Sequence, residues 1–377
     1  MLTRHNARSN KMVLIDKENS SAACGGGPMA GANSRASVAS SNGSRVTKAK
    51  SKCSAASSSR SSLQLALRAA AAAAAAAVAA EAKDIDANNC KVSQPYWPEV
   101  MDQLFESEAS YRLPLGFSVL IGSGKCEFRG VINDWLLQVQ VHERCSTDSL
   151  HLGVALADHA CLRLPFSERL YQLVASVCFF IACKVVERFP PKVSKLVYLT
   201  DNAYTNKEFL RMELSVLEAL EFRLHSPTVT QFLARLLEAS ACDLRDQQHG
   251  DGKLSLHRVC CAYIADLGLL DLDLAHQPAS RKAAACIWLS RHLMFRDLPA
   301  WNATLQHYSR CSESELRPCV AAYAGLLVAL SNGTATLHGA RDKYSRSRFL
   351  RVSASPIFSH TNKRLAQLVS PYSPCMY

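Results

Sequence analysis

The run LYQLVASVCFFIAC, Leu170 to Cys183, contains no charged side chain, and no other stretch restricts the fold as strongly. A helix that is apolar on every face has to be surrounded on every face. The run is too short to cross a bilayer as a helix, so it reads as the central rod of a helical bundle. Pro190 and Pro191 follow and stop it. The rest of the chain must supply the helices that cover this rod.

The flanking sequence supplies them. In PYWPEVMDQLFESEASYR, Pro95 and Pro98 precede Val100, Met101, Leu104 and Phe105 at helical spacing. FRGVINDWLLQVQVH aligns Val131, Trp135, Leu136 and Val139 on one stripe. STDSLHLGVALADHACL opens with the cap signal Ser146/Thr147 and places Asp148 in the first turn. After the prolines comes a shorter helix in PKVSKLVYLTDNAY. The next, in TNKEFLRMELSVLEALEF, starts at Thr205 with Glu208 three residues on, the pattern of a capping box. These give five helices between about Phe128 and Glu221, and beyond Pro227 five further helical segments repeat the arrangement, again with an Ala-rich, charge-poor third member. Sustained period-two alternation is missing. The expected fold is all-α: a tandem pair of five-helix sets behind one N-terminal helix and a disordered leader. The divisions are 1–93, 94–226, 227–345 and a C-terminal tail, 346–377.

The leader is a different material, rich in Ser and Ala and basic. Of the formal net charge of +11, most lies before residue 92, where 13 Lys and Arg face 5 Asp and Glu. Such a segment suits nuclear import or an acidic partner surface, or is simply a solvated tail. Leu63–Lys83, mostly alanine with Arg68, reads as a low-complexity linker whose helix is marginal because it has nothing to bury. The first residues, MLTRHNARSNK, lack an apolar signal core, which predicts a chain that stays inside the cell, away from membranes. Fifteen cysteines show no CxxC or Cys/His ligand spacing. Free thiols in a reducing compartment account for them, with no metal site.

Five segments in this order, FRGVINDWL, FFIACKVVERFPP, YLTDNAYT, LRMELSVLEALEF and YSRCSESELRPCV, resemble the cyclins, specifically the mitotic A/B group. The resemblance covers about residues 94 to 350, and KYSRSRFLRVS looks like the segment that follows the second cyclin box. DWLLQVQV leans towards B-type, while other motifs fit either type. The resemblance implies a regulatory subunit without catalysis or cofactor, which packs on the mobile helix of a cyclin-dependent kinase and activates it for G2/M progression. Phosphate loop, nucleophile elbow and paired-His motifs are all missing, which agrees. A nucleic-acid-binding transcription factor or a transcription-type cyclin on the same double-box fold is the alternative.

By resemblance, the kinase contact falls on Lys184 and Glu213, with Ile181, Leu217, Phe222 and Leu224 as apolar surroundings. The groove that docks kinase substrates or inhibitors falls on Phe128, Val131, Ile132, Trp135, Gln138 and Gln172. There Phe128 replaces methionine, Gln138 replaces a glutamate, and Glu168 stands where A-type cyclins have arginine. Lys17-Glu18-Asn19 matches a degradation signal read by the anaphase-promoting complex, and Arg60 to Leu63 is a weaker destruction-box candidate. Ser370-Pro371 and Ser373-Pro374 are minimal proline-directed phosphorylation sites. Nucleus and cytoplasm are the expected locations, and no specific nucleic acid is expected.

Overall fold

Helix α6 (Tyr171–Val186) is buried without interruption from Leu173 to Cys183 and packs chiefly against the helices Thr147–Arg163 and Asn206–Ala219. In this computed structural model, residues 54–85, 96–246 and 250–369 are described. The chain divides into two units, Met1–Ser62 and Leu63–Tyr377. Of the first, the described part is the opening of helix α1 (Ser54–Glu81). The alanine-rich stretch expected to be only marginally helical is thus a helix of 28 residues, exposed almost throughout from residue 64 on. Its helicity comes from backbone propensity, since alanine loses no side-chain entropy in a helix. By length and composition both Gln64–Glu81 and Glu168–Val186 would reach across a membrane, but two-thirds of the latter is buried inside the protein.

Helices α2 (Trp97–Ser110) and α3 (Phe117–Ile121) lead into the first five-helix set. It comprises α4 (Ser123–Glu143), α5 (Thr147–Arg163), α6, α7 (Val193–Leu199) and α8 (Asn206–Ala219). Local chemistry starts these helices where the sequence indicates. Ser146 accepts from the Ser149 amide at 3.1 Å, and Thr205 and Glu208 form the full reciprocal capping box. The α5–α6 crossing needs glycine. A Cβ at Gly153 would lie 2.8 Å from the Phe179 Cα, so the absence of a side chain lets the two backbones approach.

The second set is α9 (Val229–Asp246), α10 (Asp251–Leu267), α11 (Ala279–Met294), α12 (Ala303–Ser309) and α13 (Glu313–Asn332). Its third member, α11, buries Ala283 to Leu289 in an unbroken run, the counterpart of α6. The described residues contain helices and turns without a strand.

The two sets are joined by buried charge. Arg129 on α4 makes a two-pronged bond to Asp158 on α5, at 2.7 and 2.8 Å. It also donates to the carbonyls of Leu269 and Asp271 beyond α10. Asn133 donates to the same Leu269 carbonyl at 2.8 Å. Lys343 and Tyr344, on α14 (Gly339–Tyr344), both donate to Asp266 on α10, whose other oxygen meets His151 of α5 at 3.0 Å. Burial would push the Asp266 carboxyl up, but Lys343 and His151 hold it at about 2. A buried charge persists only when paired and hydrogen-bonded in this way.

The segments outside the two sets also pack. Residues after 345, assigned to the tail, bury Val352, Phe358 and Leu365. At the end of the leader Ile85 is buried, its amide donates to the Tyr308 hydroxyl at 3.3 Å, and the Lys83 amide donates to Thr304 at 3.1 Å.

Candidate functional site

Helix α8 has two faces. Phe209 and Val216 point inward and are fully buried, while Leu210 and Leu214 point outward at 52% and 55% exposure. Glu213 lies between the faces, and Leu210, Glu213, Leu214 and Leu217 follow i, i+3, i+4, i+7 spacing, so they share one stripe. Lys184 lies near the end of α6, just past the uncharged run, where the helix emerges from the core. The structure pairs its ammonium directly with Glu213, and the ammonium also sits 4.8 Å from the centre of the Phe180 ring. The pair is asymmetric: the Lys184 side chain is 42% exposed and that of Glu213 is 11% exposed. A half-wet cation held by a nearly dry carboxylate leaves donor capacity for a partner that covers it.

The elements around the pair present apolar surface that the other described residues leave exposed. Val185 and Val186 end α6, Phe189 follows it, Tyr198 lies on α7, and Phe222 follows α8; all are exposed, Phe189 at 82%. Phe222 and Glu221 both have positive φ, at 56° and 52°, a left-handed turn rarely adopted by bulky residues, which leaves the Phe222 ring exposed. Of the apolar residues assigned to this contact by resemblance, Phe222 is exposed and Leu217 and Leu224 are half-buried. Ile181 is different: it is 1% exposed and belongs to the core beneath the site, because it lies inside the fully surrounded part of α6. Leu210, Leu214, Phe189 and Tyr198 escaped the sequence reasoning. The signal for the two leucines was present, as apolar residues on the stripe opposite Phe209, Met212 and Val216.

Of the residues assigned by resemblance to a docking groove, Phe128, Val131, Ile132, Trp135 and Gln138 lie on α4 and Gln172 lies at the start of α6. Ile132 is buried, Phe128, Trp135 and Gln172 are half-buried, and Val131 and Gln138 are exposed. Val131 also lines a cavity of about 40 Å³ with Leu270, Leu272 and Leu337 of the region following α10 and α13, so it borders a second opening. Glu168 lies across the start of α4, where its carboxylate occupies the space a side chain at Gly124 would need. The Lys125 ammonium sits 4.0 Å from the Phe166 ring centre. Glu168 therefore places an acidic residue beside the start of α4.

Among the described residues no group of three or more His, Cys, Asp or Glu could hold a metal ion. The buried histidines and acids serve structure: Asp134 receives the Gly339 amide at 2.6 Å, and His257 lies between Ser240 and Ser290. Arg60 and Leu63 fall on helix α1. Lys17, Glu18, Asn19, Ser370 and Ser373 lie outside the described residues.

Comparison with known proteins gives the family. The Cyclin, N-terminal domain matches residues 99–225, and the Cyclin, C-terminal domain matches residues 227–357. The chain is 33% identical over 228 residues to G2/mitotic-specific cyclin-B2 of Anguilla japonica, covering 60% of this chain and 55% of that one. It is 29% identical over 281 residues to Cyclin-A3-4 of Arabidopsis thaliana, covering 74% and 73% respectively. The match spans little more than half the length of the B-type relatives. Among solved structures, a viral cyclin from herpesvirus saimiri aligns with a TM-score of 0.49 at 18% identity, covering 59% of this chain and 97% of that one. Two cyclin domains in tandem, each containing one five-helix set, and relatives of the B and A types place this chain in the cyclin family, among its mitotic A/B-type members.

Proposed function

We propose that this chain is a non-catalytic regulatory subunit that binds and activates a cyclin-dependent Ser/Thr protein kinase at G2/M. The observation that carries this is the Lys184–Glu213 pair at the edge of an exposed apolar surface. Apolar side chains as exposed as Phe189 and Leu214 mark a surface that another protein covers. A charged pair at its edge gives that protein a register. In the proposed complex the kinase's mobile helix packs on α6 and α8, and the cyclin holds it where the kinase's own Lys-Glu ion pair forms. Chemistry stays with the kinase.

Two further roles belong to the same proposal. The α4 groove docks substrates or inhibitors, with Trp135 and Phe128 as its apolar contacts and Glu168 favouring basic residues at one end. Lys17-Glu18-Asn19 is the signal by which the anaphase-promoting complex marks the chain for ubiquitin-mediated degradation, with Arg60 to Leu63, which lies on helix α1 and has to unwind to be read, as a weaker candidate. A short motif of this kind requires a partner that reads it in extended form. The basic leader favours import, which puts the protein in the nucleus as well as the cytoplasm.

The test mixes the chain with a purified mitotic cyclin-dependent kinase and measures histone phosphorylation, beside Lys184→Ala and Glu213→Ala versions. Stimulation by the unaltered chain that falls in both variants supports the proposal. A folded, unaltered chain that fails to bind any such kinase removes it and favours nucleic-acid binding by the basic leader.

A further inference from the structure

The described residues include eleven cysteines. Two of them, Cys145 and Cys183, have sulfurs 3.8 Å apart. Cys145 lies in the corner between α4 and α5, after Arg144, whose left-handed backbone (φ 59°) turns the chain. Cys183 lies on α6, one residue before Lys184.

The surroundings hold the two sulfurs in place. The Cys145 amide donates to the Gln140 carbonyl at 3.1 Å, and the Gln140 side chain donates back to the Cys145 carbonyl. Just past the corner, the Ser146 amide and the Ser149 hydroxyl both donate to one oxygen of Glu187 at 2.6 Å, and Glu187 is the residue that ends α6. The corner and the end of α6 are therefore already tied together by hydrogen bonds. A disulfide requires the sulfurs to close by about 1.8 Å.

The two thiols are not equivalent. Cys145 is 8% exposed and Cys183 is fully buried. The Cys183 S–H donates to the Cys145 sulfur, which favours the thiolate at Cys145 and pushes the Cys183 thiol up; burial and the carboxylates of Glu187 and Glu143 oppose ionisation at Cys145. Cys145 is thus the less deeply buried and more readily ionised of the two, the sulfur that meets a small oxidant first, and Cys183 is its partner.

We propose that Cys145 and Cys183 form a reversible redox modification site, which a hydroperoxide converts to an intramolecular disulfide. The Cys145 thiolate attacks a peroxide oxygen, the O–O bond breaks, and a sulfenic acid forms with release of water or an alcohol. The Cys183 sulfur then attacks the sulfenic sulfur, the S–S bond forms, and the sulfenic oxygen leaves as a second molecule of water with the Cys183 proton. Across the two steps the thiol pair loses two electrons and the peroxide gains them, and a dithiol reductant reverses the change. The bond fixes the α4–α5 corner to the residue beside Lys184. Its formation does not depend on the kinase reading of that lysine.

The test treats the folded full chain with hydrogen peroxide, blocks remaining thiols with N-ethylmaleimide, and maps the unreduced peptides by mass spectrometry. The expected result is a peptide pair joined through Cys145 and Cys183, two hydrogens lighter than the separate peptides, which dithiothreitol separates and which a Cys145→Ser chain fails to form. Recovery of Cys183 as the N-ethylmaleimide adduct while Cys145 is oxidised to sulfinic acid overturns the proposal. So does recovery of both as free thiols. These results are read on the unaltered chain, so they do not depend on how the variant folds.

Discussion

The Lys184 ammonium on α6 and the Glu213 carboxylate on α8 are bound to each other across two neighbouring helices, with the lysine half in water and the glutamate nearly dry. Lys184→Ala leaves that nearly dry carboxylate without its ammonium, so the variant should lose about 1 to 3 kcal/mol of stability. Its effect on kinase binding should be larger, several kcal/mol, because partner groups that the pair meets would be buried without a counterpart. Unfolding curves and binding isotherms on the same preparation check this. Equal losses in both would assign the pair to the fold alone.

The Arg129–Asp158 pair should weigh more heavily on stability. Both side chains are almost fully buried, at 2% and 6% exposure, and Arg129 also bonds carbonyls beyond α10. Asp158→Ala leaves a buried guanidinium without its carboxylate, and the expected loss of stability is about 3 to 5 kcal/mol. Chemical denaturation measures it. A loss under 1 kcal/mol would mean that water reaches the site and that the pair does not hold the two helical sets together.

These two pairs show what a sequence can disclose. The ten box helices were legible because local chemistry writes them: the apolar period, the Ser146 and Thr205 caps and the prolines after α6 act within a turn or two of themselves. Lys184 and Glu213 were legible through resemblance and by their position at the edge of apolar runs. Arg129 and Asp158 were not, because their partnership spans helices and reaches Leu269 through the closed tertiary structure. Ile181 shows the same limit: along α6 an apolar residue facing a partner looks the same in the sequence as one facing the core, and only the surrounding helices show that it is buried. Burial of Val352 and Phe358 was hidden likewise, since a short polar segment carries no period to read.

Gly153→Ala sets two effects against each other. Within the middle of α5, alanine is favoured over glycine by about 1 kcal/mol of helix propensity. The added Cβ, however, would lie 2.8 Å from the Phe179 Cα and 3.3 Å from its Cβ, and a backbone atom of the central helix does not move aside easily. Overpacking of this kind costs about 1 to 3 kcal/mol, so steric strain should win and the variant should be less stable. A lower urea midpoint at unchanged slope is the expected result. A stabilised variant would show that α5 and α6 can separate without loss.

His257 makes stability depend on pH in a predictable direction. Its ring is 1% exposed, lies between the Ser240 and Ser290 hydroxyls, and stacks edge-on with Phe295. Burial, then the neighbouring charges of Arg291 and Arg258, push its pKa from 6.5 down to about 3. The folded chain therefore keeps the ring neutral at pH values where the unfolded chain takes up a proton. The associated stability is complete above about pH 6.5 and is lost as the pH falls from there towards 3. Between pH 7 and pH 5 the loss should be about 2 kcal/mol from this residue. Burial shifts His159, His276 and His292 the same way, so the whole chain should lose more. Asp266 contributes outside this window, because a carboxyl held at about 2 gives up its stabilisation only as the pH falls from about 3.8 towards 2. Urea unfolding of the unaltered chain and of His257→Gln at the two pH values isolates the term: glutamine keeps a polar side chain between the serines but cannot titrate. The difference between pH 7 and pH 5 should shrink by about 2 kcal/mol in the variant, and an unchanged difference would mean that the ring is protonated in the folded state.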